Sequence, residues 1–392
     1  MDATPLYDLA PLARMALLGS AIALGPLGWW WLRQRGATPA ARLRALTLLT
    51  LFLTFDLVIF GAFTRLSDSG LGCPDWPGCY GSATPLGAQA AIETAQTALP
   101  SGPVTHGKAW VEMVHRYLAT AVGVLIAVIA AASVWQRRRG DANAAPGWAL
   151  STLLWVCLQG AFGALTVTMK LYPAIVTVHL LGGLGLLALL AVQTELRRAV
   201  PLPLALPRSL RLGVALVAAL ALLQIALGGW VSTNYAVLAC RDFPTCQGAW
   251  WPAMDFAQGF TIVRELGAGR GGGWLPFTAL TAIHVAHRAG AAIVLAALAW
   301  LAWRLAASGI AAQRRWAAAL VGITVWQAAS GISNVVLGWP LAAALAHTAG
   351  AAALVVLLTV MLTRVRHSRT VTGAAARQDE RKAPARAARA AS

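Results

Sequence analysis

Four histidines lie in long apolar stretches of the chain, where ionisable side chains are scarce. His115 and His179 belong to the first half of the sequence, and His287 and His347 belong to the second half. The second pair repeats the first at offsets of 172 and 168 residues. Ionisable groups are costly in apolar surroundings, and they usually face a cavity or a cofactor there. Two matched pairs therefore indicate two related binding sites.

Paired imidazoles suit one kind of cofactor in particular. Two histidines that reach across a helix bundle from opposite sides hold a haem iron at both axial positions. Three of the four lie roughly 9–11 Å along their helices from the same end, and His287 lies about 15 Å from a less certain boundary. A single histidine would more simply bond a neighbouring helix, but two repeated pairs favour haem. Zinc is a weak competitor, because its sites use three or four protein ligands.

One position beside the ligands differs between the halves. Glu112 lies three residues before His115, on the same helix face, and its counterpart in the second half is His284. A buried carboxylate suits proton abstraction or stabilisation of a developing positive charge. The alternative is a structural partner for Arg116. His284 is expected to bond locally or to reach a propionate.

Arg116 and Arg288 each follow a histidine of the two pairs. A guanidinium matches the geometry of a carboxylate, so both are candidates to bind haem propionates. Snorkelling to the lipid headgroups is an equal alternative.

The composition excludes a water-soluble protein and a disordered one. Of the 392 residues, 58% are hydrophobic and 11% are charged, whereas soluble domains average about 25% charged residues. The net charge of +17 lies in short basic runs between apolar stretches, so no nucleic-acid partner is indicated. Nine stretches are long enough to cross a bilayer, which takes about 20 residues. Gly338-Trp339-Pro340 separates the last two.

The basic residues also predict the orientation. Lys and Arg are concentrated after spans one, three, five, seven and nine, as expected of cytoplasmic segments. We therefore expect a multi-pass protein of the bacterial inner (cell) membrane, with a periplasmic N-terminus and a cytoplasmic C-terminus. Two long loops, about 65–108 and 233–276, would then lie outside. Cys157 lies mid-span and is expected to be a small buried residue.

The two outer loops are repeats of each other. Cys73 and Cys79 match Cys240 and Cys246 at a constant offset of 167 residues. With the histidine offsets, this matches spans two to five with spans six to nine. The prediction is an all-α integral membrane protein of two pseudo-symmetric four-helix bundles, produced by internal duplication, plus one extra N-terminal helix. The expected domains are the extra helix and its loop (1–41), an N-terminal bundle (42–200), a C-terminal bundle (201–365) and a basic cytoplasmic tail, expected to be disordered (366–392).

Two motifs together resemble the heme A synthase family. They are Thr-Arg-Leu at 64–66 with Ser-Gly-Leu-Gly-Cys-Pro-Asp-Trp-Pro-Gly-Cys-Tyr-Gly at 69–81, and Glu-Met-Val-His-Arg at 112–116. The resemblance covers nearly the whole chain, from about residue 44 to residue 363. It implies that His115 and His179 embrace a substrate haem, that His287 and His347 ligate a haem b cofactor, and that Glu112 is catalytic.

The same resemblance implies a reaction. The family oxidises the C8 methyl group of heme O to the formyl group of heme A, which supplies cytochrome c oxidase. Disulfides Cys73–Cys79 and Cys240–Cys246 would cap the two sites. The implied partners are heme O as substrate, with heme O synthase and cytochrome c oxidase assembly factors as candidates. The extra N-terminal span departs from the family pattern.

Two other classes of function share the paired histidines. A di-haem electron carrier linked to quinol would use the same ligands, but it leaves unexplained why Glu112 occurs in one half only. A non-catalytic haem-handling or assembly protein is the third class. The sequence does not identify the electron acceptor or the source of the inserted oxygen.

Overall fold

The computed structural model describes residues 10–141, 144–269 and 273–390, with side chains up to residue 366. Within these ranges the protein is all-helical, with isolated bridges and no strand. Nine of the described helices are long and apolar enough to cross a membrane, which confirms the predicted fold class and number of spans. The nine are α1 (Ala10–Arg33), α2 (Pro39–Leu66), α4 (His106–Arg138), α5 (Pro146–Thr168), α6 (Pro173–Leu196), α7 (Arg208–Thr233), α9 (Phe277–Ala306), α10 (Ala311–Val336) and α11 (Leu341–Ala390).

Proline and threonine mark where several of these helices begin. Pro39, Pro146 and Pro173 each occupy the first helical turn, where the missing N–H costs nothing and the fixed φ favours the helix. Thr38 and Thr105 cap α2 and α4, because each hydroxyl accepts a hydrogen bond of 3.3 Å from the backbone three residues later. Helix starts are therefore encoded locally.

Four helices close into a ring in each half. In the N-terminal bundle, α2 and α5 both contact α4 and α6, so α4 and α6 lie diagonally opposite. In the C-terminal bundle, α7 and α10 both contact α9 and α11, which places α9 and α11 on the diagonal. The histidine-bearing helices are thus the diagonal pair in both bundles.

The bundles meet through α2 and α6 on one side and α7 and α11 on the other. At one end of this interface, Arg65 donates to the Tyr235 hydroxyl at 2.9 Å and to the Ser232 carbonyl at 2.7 Å. At the other end, the buried Glu195 carboxylate accepts from Arg364 at 2.8 Å. Polar contacts therefore fasten both ends of an apolar interface.

The extra helix α1 packs against α4, the helix that carries Glu112 and His115. Gly19 provides the close approach, since a Cβ there would collide with Thr120 of α4. Cys157 is exposed on the outer side of α5, so the prediction that it is buried is wrong. Mid-span depth does not distinguish a position that faces the bundle from one that faces lipid.

The loops on the cysteine side hold two further helices that the sequence did not predict. They are α3 (Gln89–Ala98) in the first loop and the single turn α8 (Phe256–Gly259) in the second. At the opposite end, α11 continues from the last span into the basic tail. The disorder expected for 366–392 and the predicted domain boundaries stay predictions.

Candidate functional site

The N-terminal bundle brings His115 and His179 together from its two diagonal helices. His115 projects from α4 and His179 from α6, close enough for a charge on one imidazole to act on the other. Each ring is surrounded by protein yet keeps part of its surface accessible. A pair of inward-facing imidazoles on opposite sides of a bundle can bind both faces of one metal centre.

His287 and His347 form the same arrangement in the C-terminal bundle. They project from α9 and α11, again the diagonal helices, close enough for a proton on one ring to act on the other. They too are partly accessible. Within the described residues, no group of three or more His, Cys, Asp or Glu side chains could hold a metal ion. The donor sets therefore fit a haem iron, whose porphyrin supplies the remaining nitrogens, and they do not fit zinc.

A glycine on the adjacent helix faces each histidine of the N-terminal bundle. A Cβ atom at Gly61 of α2 would lie 3.0 Å from Nε2 of His115, and one at Gly163 of α5 would lie 3.5 Å from Cε1 of His179. Contacts near 3.0 Å are tighter than van der Waals packing allows without displacement. The absence of a side chain at these positions leaves the ring nitrogens room for a ligand.

The C-terminal bundle repeats the glycine contacts at the corresponding positions. A Cβ at Gly228 of α7 would lie 3.0 Å from Cε1 of His287, and one at Gly331 of α10 would lie 3.2 Å from Cε1 of His347. These glycines follow Gly61 and Gly163 at offsets of 167 and 168 residues. Each bundle thus takes its histidines from one diagonal and its glycines from the other.

Glu112 is buried, with 4% of its surface exposed, and it has two strong hydrogen-bond donors. Its Oε2 accepts from the Cys73 backbone N–H at 2.7 Å, and its Oε1 accepts from Arg116 at 2.5 Å. These bonds favour the ionised carboxylate and fix its orientation. The ion pair with Arg116, which the sequence left as an alternative, is present. An ion pair with Arg116 does not exclude a chemical role for the Glu112 carboxylate.

Arg116 and Arg288 both bind the cysteine loops that cover their bundles. Nη1 of Arg116 donates to the carbonyls of Asp75, Pro77 and Gly78 at 2.6–3.2 Å. Arg288 donates to the Thr245 and Cys240 carbonyls at 2.8 and 3.1 Å, and its buried Nε lacks a partner within the described residues. Their predicted contact with haem propionates stays a prediction.

His284 takes the place of Glu112 in the C-terminal bundle. It is buried, and its Nδ1 lies 3.0 Å from the Ala236 carbonyl in a short 3₁₀ turn. The side chain therefore bonds locally, as one of the two expectations had it. An imidazole thus occupies the position where the N-terminal bundle has a fixed carboxylate.

Each cysteine loop is a closed unit. The sulfur atoms of Cys73 and Cys79 lie 2.08 Å apart, and those of Cys240 and Cys246 lie 2.00 Å apart, both at disulfide distance. The carboxylate of Asp75 accepts from the backbone N–H groups of the two residues that follow Cys79, at 2.6 and 2.7 Å.

The second loop repeats this cap with Asp242. Hydrogen bonds from the Thr245 hydroxyl and from the backbone of Gly248 and Gln247 lower the pKa of Asp242 to about 2. The carboxylate is therefore ionised over the physiological range, and it holds the turn that closes the loop.

Sequence reasoning singled out the histidines and Glu112 but missed the groups packed around them. Gly61 and Gly228 carry a detectable signal, because they match at the same offset as the cysteine loops. The amide of Gln224 lies 2.9 Å from Nδ1 of His287. The repeat gives no sign of this residue, because the matching position in the first half is Leu57. Such a contact is visible only once the helices are placed.

Comparison with known proteins agrees with the motifs. A family model described as "Cytochrome oxidase assembly protein" (COX15-CtaA) matches residues 44–359. A protein named heme A synthase from Shewanella oneidensis is 40% identical over 314 residues, which cover 79% of this chain and 92% of that protein.

Two more distant relatives bear the same name. Heme A synthases from Methylobacterium sp. strain 4-46 and Rhizorhabdus wittichii are 32% and 29% identical. The matches cover 84% and 83% of this chain, and 93% and 95% of the relatives. The match thus extends over both bundles, and the chain belongs to the COX15-CtaA family of cytochrome oxidase assembly proteins.

Proposed function

We propose that this protein is a heme A synthase, which oxidises the C8 methyl group of heme O to a formyl group and so supplies heme A to cytochrome c oxidase. The observation that carries the proposal is the pair of facing histidines in each bundle, with a fixed, buried carboxylate beside only one of them. Family membership and relatives named heme A synthase support the same activity.

The two bundles have separate tasks in this proposal. The N-terminal bundle binds heme O as substrate through His115 and His179, and the C-terminal bundle holds haem b through His287 and His347. A haem with two histidine ligands has no open position, so haem b supplies electron transfer. The asymmetry at Glu112 and His284 supports this division, since chemistry at a methyl group needs a proton acceptor in one bundle only.

Glu112 serves the reaction in the N-terminal bundle. Conversion of a methyl to a formyl group adds one oxygen atom, which water can supply, and releases protons and electrons, which haem b would pass to an acceptor, so positive charge develops at the substrate carbon. A carboxylate one helical turn from His115, held by the Cys73 N–H and by Arg116, can accept a proton or stabilise that charge. Since these donors are fixed before the substrate arrives, little reorganisation is needed during the reaction.

The arginines differ in the donors that they can offer a propionate. The unpartnered Nε of Arg288 lies in the C-terminal bundle, where we assign it to a haem b propionate. The Nη atoms of Arg116 are already bonded to Glu112 and to the first cysteine loop. A substrate propionate at Arg116 would therefore share the guanidinium with these groups.

We further propose that the protein lies in the bacterial inner membrane, with its N-terminus and cysteine loops in the periplasm and its C-terminus in the cytoplasm. The basic loops after alternate spans and the two disulfides support this orientation. Heme O is apolar and can enter from the bilayer. Heme O synthase and cytochrome c oxidase assembly factors are the partners that would deliver the substrate and take the product.

The direct test is product analysis. The protein is expressed in a bacterial host that makes heme O but lacks heme A, and extracted haems are separated by chromatography and identified by mass. A new haem with the mass of heme A is expected. Heme O and haem b alone, from membranes that contain the folded protein, would overturn the proposal.

A further inference from the structure

The histidines of the C-terminal bundle have polar partners at the ring nitrogen that faces away from a bound metal. Nδ1 of His287 lies 2.9 Å from the amide of Gln224, and Nδ1 of His347 lies 3.0 Å from the hydroxyl of Ser330. The amide of Gln327 lies beside the same nitrogen of His347. Both rings are thus tethered to the glycine-bearing helices α7 and α10.

The histidines of the N-terminal bundle lack such partners. Nδ1 of His179 is buried and has no hydrogen bond within the described residues, and Oε1 of Gln159, the counterpart of Gln327 on helix α5, is also without a partner there. His115 has no hydrogen bond to its ring within the same residues, and it stacks against Phe60 with ring centroids 6.2 Å apart. Among the residues that the structure describes, packing alone orients these two rings.

The difference is encoded at matching positions of the repeat. Where the C-terminal bundle has Gln224, the N-terminal bundle has Leu57, and where it has Ser330, the N-terminal bundle has Phe162. Gly290 leaves space for the Gln224 amide, because a Cβ there would collide with it.

The residue that corresponds to Gly290 is Leu118. A polar residue and the glycine that accommodates it are therefore present together in one bundle and replaced together by leucines in the other.

A ligand histidine that binds metal through Nε2 carries its remaining proton on Nδ1, and it is held best when an acceptor takes that proton. The Ser330 hydroxyl can accept at its observed distance. Gln224 acts differently, because its Nε2 donates to the His287 carbonyl at 2.9 Å and lies 2.9 Å from Nδ1, so its amide fixes the position of the ring and does not take that proton. Such outer contacts fix the ring orientation, raise ligand basicity and typically contribute 10–100-fold in metal affinity.

We propose that Gln224 and Ser330 are positioning residues that make the C-terminal bundle a retentive haem site, whereas the N-terminal bundle, which lacks them, is an exchangeable one. The inference rests on the proposed function and gives a physical reason why one bundle would keep its haem while the other exchanges it. A resident cofactor has to stay bound through many turnovers. A substrate site has to release its product, and rings held by packing alone allow faster release.

The test measures haem retention rather than activity. In a His115→Ala/His179→Ala background only the C-terminal bundle can hold haem, and its transfer to excess apomyoglobin is followed optically in detergent. Ser330→Ala and Gln224→Leu are each expected to speed haem loss about tenfold or more. Ser330→Ala should also shift the midpoint potential to more positive values, because a less basic imidazole stabilises ferric iron less.

Two controls separate positioning from folding. Ser330→Thr keeps the hydroxyl and should restore slow haem loss. Gln159→Leu lies in the N-terminal bundle, which holds no haem in this background, and should change neither the rate of haem loss nor the midpoint potential. Haem loss within twofold of the parent in both Ser330→Ala and Gln224→Leu, with an unchanged potential in Ser330→Ala, would overturn the inference while leaving the proposed function intact. Failure of the folded parent background to bind haem would contradict the proposed function itself.

Discussion

Glu112 and His284 occupy the same place on equivalent helices, yet they are held by different groups. Glu112 accepts from the Cys73 backbone and from Arg116, so its charge is stabilised on both oxygens. His284 instead contacts the Ala236 carbonyl, which can take one ring proton. The proposed function rests on this difference when it places acid–base chemistry in the N-terminal bundle.

Replacing Glu112 by glutamine tests its chemical role with little change in shape. We expect Glu112→Gln to keep haem b bound and to reduce heme A formation by about a hundredfold or more, since general base catalysis typically contributes 10²–10⁴-fold. Haem content is measured optically and heme A by extraction. Glu93→Gln, at an exposed acid of α3, is the matched control and should behave like the parent. Undiminished heme A formation by Glu112→Gln would rule out the role.

The glycines opposite the histidines give a second residue-level prediction. A valine at Gly228 would displace His287, and one at Gly61 would displace His115, since even a Cβ lies 3.0 Å from each ring. Overpacking typically costs about 1–3 kcal/mol. Gly228→Val should therefore lose haem b, measured by the Soret absorbance, whereas Gly61→Val should keep haem b and lose bound heme O.

Gly322 is the control for both variants, because no atom lies within 4 Å of a Cβ at that position. Gly322→Val should retain both haems. Equal loss of bound haem from all three variants would mean that valine disturbs the helix rather than the histidine.

At the scale of residues, the sequence predicted those site residues that recur in both halves or are rare in apolar stretches. The four histidines and Glu112 could be found because an ionisable residue inside an apolar stretch is unusual. Gln224 and Ser330 could not be found in the same way. Polar residues of these types are common helix-to-helix hydrogen-bonding groups, and their role depends on which ring they contact.

At the scale of elements, the first cysteine loop and the start of α4 act as one unit. The Cys73 N–H binds Glu112 of α4, and Arg116 of α4 binds the carbonyls of Gly78 and its neighbours inside the disulfide ring. The second loop binds α9 through Arg288 and through Gln247, whose amide donates to the Thr281 hydroxyl at 2.9 Å, and α9 carries no carboxylate. Each loop therefore fixes a helix, and the first also orients the carboxylate that we propose to be catalytic.

Removing each disulfide should separate these two effects. A short-loop disulfide contributes about 2 kcal/mol to stability, so Cys73→Ser/Cys79→Ser and Cys240→Ser/Cys246→Ser should both lower the melting temperature. We expect the first double variant also to lose heme A formation while keeping haem b, because Glu112 loses its fixed donor. The second should weaken haem b retention. Indistinguishable haem contents and product yields in the two variants would contradict the assignment.

Element boundaries were harder to predict than element number. The sequence break at Gly338-Trp339-Pro340 separates α10 from α11 as expected, and both Gly338 and Trp339 adopt positive φ. Helix α4, in contrast, begins at His106, inside the outer loop predicted at about 65–108. Helix α3 was missed because a ten-residue helix in a polar loop has no long apolar pattern.

At the scale of the whole molecule, two bundles with the same arrangement of helices are fixed to each other, and they differ in the residues beside their histidines. Arg65 and Tyr235 fasten the cysteine side, and Glu195 and Arg364 fasten the other. Helix α1 has no counterpart in the C-terminal bundle and covers α4. This additional packing falls on the helix that carries Glu112 and His115.

The fold class and number of spans could be predicted because apolar length and basic loops are properties of composition along the chain. Which helices are neighbours could not, since each bundle could close its ring in more than one order. The diagonal placement of α4 with α6, and of α9 with α11, comes from the helix contacts alone. That placement is what makes each histidine pair face inward.

The central claim is that the two histidine pairs hold different haems. It is tested most directly by extracting and identifying the haems of two purified variants, His115→Ala/His179→Ala and His287→Ala/His347→Ala, from cells that make heme O. The first should retain haem b and contain neither heme O nor heme A, and the second should contain heme O with little haem b and no heme A. Loss of haem b from the first with its retention in the second would contradict the account.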